Sequence, residues 1–410
     1  MKFLLLSLNY YPELIGIGKY NHEMVDWLLK RKYQVRVITT YPYYPKWELI
    51  NFGLRNLWYS CNKNKTNNLT IIRCPIYVPK NPTGFNRILH HVSFAISVLP
   101  VMLFHILWRP KIIFLTEPPF LCSLIVLLVG LISKSKTILH IHDFEIDAAF
   151  NLSLIKGEIF KKFLLFFEKI IMNSFGIVST ISSEMQNKLL NKGISSAKIK
   201  LLKNWCDLDK INPKAKSKNS QMKIKRKFNI PTNNLIALYS GNMSTKQGLE
   251  ILGKLVSKCT NLNVFFIFCG EGPKKKELQH MCAKFKNVKF LPLQSNEKFI
   301  ELLTLCDIHL LPQVSNVSGI FLPSKLSGMM ASGNPIICSA SKNSELSQIV
   351  KNCGYVADPN NFGLFYKYFL KLLKSKDIRL RFGKNGRIYS EKYFNKKNIL
   401  EKFFVNLQFK

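Results

Sequence analysis

The chain has 410 residues, 47% of them apolar, and 60 Lys and Arg against 24 Asp and Glu, for a net charge of +36. Such a length exceeds what one hydrophobic core organises, so two domains are expected, and the apolar fraction is enough to fill both cores. The ten cysteines stand singly with no Cys-x-x-Cys pair, which argues against a zinc or redox motif and points to a reducing compartment, the cytosol.

The opening apolar run is short and soon meets Pro12 and Glu13, so it reads as a buried first strand, Phe3–Leu8, rather than as a signal peptide. A helix over Lys19–Arg31 and a strand over Gln34–Thr39 follow. The longest apolar stretch, Ile88–Leu107, approaches the roughly 20 residues needed to span a bilayer. It carries His90, His91, His105 and Pro100, so a helix of the folded domain over Arg87–Leu107 is the expected reading. Strands at Lys111–Leu115, Thr137–His142 and Gly176–Thr180 alternate with helices at Leu121–Ser133 and Lys156–Asn173, the rhythm of a parallel sheet covered on both faces.

Between Asn212 and Asn234 the composition turns to Lys, Asn, Ser and Pro, and the domain boundary is placed close by, at Asn204. A second alternation then runs through strands at Leu235–Ser240, Asn263–Cys269, Val288–Pro292 and Ile308–Pro312. Between them lie helices at Gly248–Lys258, Lys274–Lys284 and Asn296–Leu305. The fold class expected is α/β, with two Rossmann-like domains: a first over 1–204, a second over 205–385, and a helical tail over 386–410 that crosses back to the first.

Several turns sit where parallel strands end, the edge at which open α/β sheets bind ligands. Gly16 and Gly18 lie between the first strand and its helix, where a phosphate could approach a helix N-terminus, although a tight turn alone accounts for them equally. The strand Thr137–His142 runs into His142-Asp143-Phe144-Glu145-Ile146-Asp147. There Asp143 could orient a sugar hydroxyl or accept a proton and His142 could offset phosphate charge; an N-cap by Asp143 is the alternative. In the second half, Ser240-Gly241-Asn242 leads to Lys246, and Cys269-Gly270-Glu271-Gly272 ends the next strand. A lysine at such a place suits a diphosphate, and either turn could instead be only a turn.

The segment Leu322-Pro323-Ser324-Lys325, continuing to Met330-Ala331-Ser332-Gly333-Asn334-Pro335, resembles the donor-site helix of glycosyltransferase family 4. Together with Asn9–Tyr20, Asp143–Phe150 and Ser240–Met243, it makes nearly the whole chain similar to the WcaI-type subgroup of colanic-acid and O-antigen transferases. The resemblance implies a GT-B fold whose second domain holds the donor, with Lys246 and Lys325 near the diphosphate and Leu291-Pro292-Leu293 beside the base. Ser324, Gly241, Asn242, Gly270 and Gly272 complete that donor set, Gly16 and Gly18 close over the phosphates, and Glu345 matches a family glutamate.

Asp143, His142 and Glu145 are the expected catalytic groups. Family members often carry two glutamates around the donor helix, whose places are taken here by Ile320 and Gly328, so the usual ribose contact is missing. The arginine that often precedes the phosphate lysine is here Asn242. The pair Asp207 and Asp209 reads as hinge or cap chemistry at the domain junction, and no metal or other cofactor is expected.

The resemblance implies retaining, metal-independent transfer from a UDP- or GDP-linked sugar to a lipid-diphosphate-linked saccharide in bacterial exopolysaccharide, capsule or O-antigen assembly. The enzyme would be cytoplasmic, peripheral on an anionic inner membrane surface. A nucleotide-sugar epimerase or other non-transferring enzyme of the same architecture is the alternative. It needs a water-tight cleft and no membrane-facing surface, and the apolar helices of the first half speak against it. Nucleic-acid binding would account for the charge alone and leave the glycine turns unexplained, so no nucleic-acid partner is expected.

Overall fold

A computed structural model describes residues 1–13, 16–49, 57–64, 68–82, 84–151, 158–213, 218–314 and 322–405. The chain forms two units, Met1–Lys203 and Asn204–Lys402, and from Phe403 it belongs again to the first.

The first unit runs β1 (Lys2–Leu6), α1 (Ile17–Lys30), β2 (Gln34–Thr40), β3 (Ser60–Asn64), β4 (Leu69–Cys74), α2 (Phe85–Trp108), β5 (Ile112–Glu117), α3 (Cys122–Ser133), β6 (Lys136–Ile141), α4 (Glu145–Asn151), α5 (Glu158–Ser174), β7 (Ile177–Thr180), α6 (Ser183–Asn191) and β8 (Ile199–Leu201). Its strands lie in the order β3-β4-β2-β1-β5-β6-β7-β8. All pair in parallel except β3, which runs antiparallel to β4 at the edge. The central strands are mostly apolar because helices cover both faces, and β5 is buried at every position, Thr116 and Glu117 included. The β3–β4 hairpin was not expected from the sequence. Ser60–Asn64 is polar and mostly exposed, so it shows none of the alternation by which strands are recognised.

The second unit runs α7 (Lys218–Lys227), β9 (Leu235–Ser240), a 3-10 turn (Thr245–Gln247), α8 (Glu250–Lys258), β10 (Val264–Cys269), α9 (Lys275–Cys282), β11 (Val288–Leu291), α10 (Asn296–Leu305), β12 (Ile308–Leu311), α11 (Lys325–Ala331), β13 (Ile336–Ser339), α12 (Glu345–Val350), β14 (Gly354–Ala357), α13 (Phe362–Lys374), α14 (Lys376–Tyr393) and α15 (Lys396–Val405). The sheet is all parallel in the order β11-β10-β9-β12-β13-β14. That is the doubly wound order, with its switch point between β9 and β12 where the winding reverses. The first sheet reverses likewise between β1 and β5. The Lys-rich stretch after Asn212, where no element was expected, contains α7, whose Ile224 packs against the core beside buried Phe228 and Ile230. At the chain's end, the Phe404 ring lies 6.0 Å from that of Phe3 and 5.3 Å from that of Trp27, which seats the tail of α15 on the first unit.

Among the described residues, α2 is the one helix long and apolar enough to cross a membrane. One side of it is core: Phe94, Val98 and Met102 are fully buried. On that side His90 Nδ1 meets the Tyr77 carbonyl at 2.6 Å and His105 Nδ1 meets that of Val101 at 2.7 Å.

Candidate functional site

At the switch point of the second sheet, β9 ends in Ser240 and the chain turns through Gly241 at φ +126°. The turn after β10 nests against it backbone to backbone. A Cβ on Gly270 would lie 1.9 Å from the Gly241 carbonyl oxygen, and one on Gly272 would lie 2.5 Å from that of Met243. The Gly241 amide donates to Cys269 O at 3.0 Å and the Met243 amide to Glu271 O at 2.8 Å, tying the two strand ends together. These glycines are therefore required by close packing of two turns.

Lys325 is laid over this double turn. Its Nζ sits 4.3 Å from the Tyr239 ring centroid and donates to Gln247 Oε1 at 2.8 Å. A Cβ on Gly241 would meet Lys325 Cδ at 3.3 Å, so the glycine also gives the lysine stem its path. Burial brings the Lys325 pKa down to about 7, and no carboxylate among the described residues pairs with the ammonium. Cation, ring and amide thus form a seat that wants an anion.

The other residues expected of a donor set lie on the same strand-end edge or beside it. Asn242 is exposed next to Gly241, and its carbonyl accepts from the Tyr239 hydroxyl at 2.6 Å. Lys246 occupies the 3-10 turn with Gln247; its side chain lies outside what is described, as does Ile320. Ser324 is exposed at the start of α11, and Leu293 is exposed just past β11, where Pro292 O accepts from Gln294 Nε2 at 2.8 Å. Glu345 opens α12 beyond β13, after Ser344, whose hydroxyl caps the Ser347 amide at 3.2 Å. Gly328 faces apolar side chains instead, 3.5 Å from Leu303 Cδ1 and 4.0 Å from Ile211 Cδ1 for an added Cβ.

In the first unit the switch point carries Asn21, which donates to the Ser7 hydroxyl at 2.8 Å and accepts from Thr116 Oγ1 at 3.1 Å. The Glu13 carboxylate, unrecognised in the sequence, accepts from the Tyr43 and Tyr44 amides, each at 2.7 Å, and from Asn9 Nδ2 at 2.9 Å. Gly18 receives the Glu13 carbonyl where its Cβ would be, at 2.2 Å, and is a packing glycine; Gly16, at φ +56°, has open space beside it. Asp207 is held by Lys396 Nζ at 2.9 Å and takes the Lys210 amide at 3.4 Å, which is cap chemistry.

Beyond β6 stand His142, Asp143 and Glu145. The His142 ring lies 4.6 Å from that of His140, edge to face, and 6.3 Å from that of Tyr20. Burial brings the His142 pKa down to about 4, so the ring is neutral at physiological pH and cannot offset phosphate charge as the sequence suggested. Its Nε2 has no hydrogen-bond partner among the described residues.

Glu145 is committed: Oε1 pairs with His91 Nδ1 at 2.8 Å and Oε2 accepts from the Phe120 amide at 2.6 Å. Although burial alone would raise its pKa, the His91 and Phe120 contacts hold it below the usual carboxylate range. It therefore positions the cluster. Nearby Glu117, fully buried, is pushed well above that range by burial and by neighbouring Glu145 and Glu168. Among the described residues no three His, Cys, Asp or Glu side chains group as a metal site requires.

Residues 220–389 match the model of glycosyl transferases group 1, and residues 16–205 that of a glycosyl transferase 4-like domain. Over 420 aligned positions covering all of both chains, the sequence is 32% identical to WcaI of Escherichia coli (strain K12), named as a colanic acid biosynthesis glycosyl transferase. Among solved structures, sucrose-phosphate synthase from Thermosynechococcus elongatus superposes with a TM-score of 0.74 at 16% identity, covering 99% of this chain and 98% of that one. Anabaena Alr3699/HepE, solved in complex with UDP-glucose, gives a TM-score of 0.70 at 14% identity, covering 99% of each chain. At such identities these two likenesses establish the fold.

Proposed function

Because the chain belongs to the GT-B glycosyltransferase family that includes WcaI, we propose that it moves a sugar from a UDP- or GDP-linked donor to a lipid-diphosphate-linked saccharide in the assembly of a bacterial surface polysaccharide such as colanic acid. The observation that carries this reading is the Lys325 seat: a desolvated ammonium over a glycine double turn at the sheet's switch point, with no carboxylate among the described residues to neutralise it. A nucleoside diphosphate supplies the missing charge. HepE, of the same fold, was solved holding UDP-glucose.

The donor lies along Gly241, Asn242, Lys246, Gly270, Gly272 and Leu293, with Ser324, Lys325 and Glu345 completing the set. In the reaction, the bond from the anomeric carbon to the phosphate oxygen breaks and one to the acceptor oxygen forms, with retention of configuration. Negative charge grows on the departing diphosphate, and Lys325 with Lys246 stabilises it where a metal does so in other transferases. The acceptor hydroxyl loses its proton beside His142 and Asp143. His142, neutral, orients that hydroxyl through Nε2, and Asp143 is the proton acceptor. The enzyme works at the inner face of the plasma membrane.

A ligand bound only by the native state raises the melting temperature. A panel of UDP, GDP and their sugars is expected to give a clear rise with one base, lost in Lys325→Ala. No shift with any of them overturns the donor site.

A further inference from the structure

In the first unit, α2, α3 and α5 lie side by side, α2 against α3 and α3 against α5, and each buries one side while leaving a second apolar stripe bare. On α2 the bare residues include Ile96, Phe104 and Leu107, the last 80% exposed; on α3, Leu124, Leu128 and Leu131, the last 79% exposed; on α5, Phe163, Phe166 and Ile170. On α3 and α5 they recur every third or fourth residue, and on α2 exposed Leu99 and Leu103 fill the interval between Ile96 and Leu107 at the same spacing, so the stripes are continuous. Exposed Trp58 joins the patch beside α2, where the Tyr59 hydroxyl donates to Ser97 O at 2.7 Å.

The charge around this surface is predominantly positive. Neither α2 nor α3 contains an acidic residue; of the two in α5, Glu158 is its first residue and Glu168 is buried against Lys192. Exposed Arg109, Lys111 and Lys134 rim the ends of α2 and α3, which are tied by the Ser135 hydroxyl donating to Pro110 O at 2.5 Å, and exposed Lys162 and Lys169 lie along α5. A face of apolar side chains rimmed by lysine and arginine complements a bilayer surface of anionic lipid: acyl chains receive the aromatic and aliphatic groups, and headgroups receive the ammonium tips.

We infer that the α2–α3–α5 face is the docking surface of this enzyme on an anionic lipid bilayer. The inference rests on, and deepens, the reading that the acceptor is lipid-linked. α2 is embedded on one side, and through His91 it is bonded to Glu145, two residues from Asp143. Ile88 and Leu89, exposed on the same turn, therefore bring the membrane surface up to the His142–Asp143 cluster, where a saccharide on a lipid carrier meets it.

The test uses the full chain and vesicles of phosphatidylcholine with or without phosphatidylglycerol. The wild type is expected to cosediment with the anionic vesicles and only weakly with the neutral ones. Phe104→Ser combined with Leu131→Ser, and separately Phe163→Ser combined with Phe166→Ser, should each weaken binding about tenfold or more, since each removed side chain forfeits its transfer to acyl chains. Both variants should keep the nucleotide-induced rise in melting temperature, which reports the fold and the donor site separately from docking. Where either pair fails to fold, Trp58→Phe replaces it, with loss of fluorescence quenching by brominated lipid expected. Vesicle binding that is absent, or unchanged in the substituted proteins, overturns the proposal. So does a stable dimer broken by the same substitutions, because a second copy would then be the occupant.

Discussion

A lysine whose pKa has been brought to about 7 spends part of its time uncharged, and Lys325 is in that state before any donor arrives. Binding a diphosphate favours the ammonium, so the bound-state pKa rises and binding takes up a proton wherever the free side chain has lost one. Affinity is then flat below the free pKa and falls by up to about tenfold per pH unit above it. For a nucleotide-sugar, whose diphosphate does not titrate in this range, Kd at about pH 8.5 should exceed that at about pH 6.5 by roughly thirtyfold. Calorimetric titration at both values checks this, and Lys325→Arg, charged throughout, should flatten the profile while weakening the fit over Tyr239. A wild-type Kd that does not move with pH would show that the ammonium is not what holds the phosphates. At the same scale, burial holds His142 neutral: with Nε2 unpartnered among the described residues, it has a hydrogen bond to offer and no charge.

The turns that end β9 and β10 show what the elements impose on individual residues. Gly270 approaches Gly241 so closely that any Cβ must push the two strand ends apart, so Gly270→Ala should cost about 3 kcal/mol. For a unit of this size that lowers the melting temperature by roughly 6–12 °C. Gly363→Ala, in α13 with only Asn361 Oδ1 at 3.7 Å, should be neutral or slightly stabilising, and equal losses at the two positions in thermal melts would refute the packing argument. The same contrast explains what could be read from the chain. Strands β1, β5, β9 and β10 carry apolar runs of four or more residues bounded by turn residues, a local signal, and the glycine turns stand out for the same reason. Helix α7, with Lys or Arg at five of its ten positions, carries too few apolar residues to mark a buried stripe, and no element was expected there. The bond from His91 to Glu145 joins residues far apart in sequence, and Glu13 caps a turn thirty residues downstream. Neither leaves a local pattern, because the partner is supplied by the parallel crossover. Lys325 lies beyond any window that contains Gly241, so their approach at the strand ends leaves no local spacing to read.

For the whole molecule the dominant fact is the excess of 36 positive charges. Most lysines therefore have no acid to pair with, and the ion pairs formed are largely exposed ones such as Lys227 with Glu301 and Lys274 with Glu277, each worth little. Self-repulsion between unpaired cations acts over distances comparable to the screening length, about 10 Å at 0.1 M salt. It weighs on the compact state more than on the expanded one, where the charges stand farther apart. Raising sodium chloride from about 0.05 M to about 0.5 M should shorten that range several-fold and raise the melting temperature. A relief of 1–2 kcal/mol would appear as roughly 2–8 °C. Scanning calorimetry at both concentrations decides between this and its opposite. If the surface pairs outweighed the repulsion, salt would screen attraction instead and the melting temperature would fall; docking to anionic lipid would then owe less to the overall charge than to the lysines rimming α2, α3 and α5.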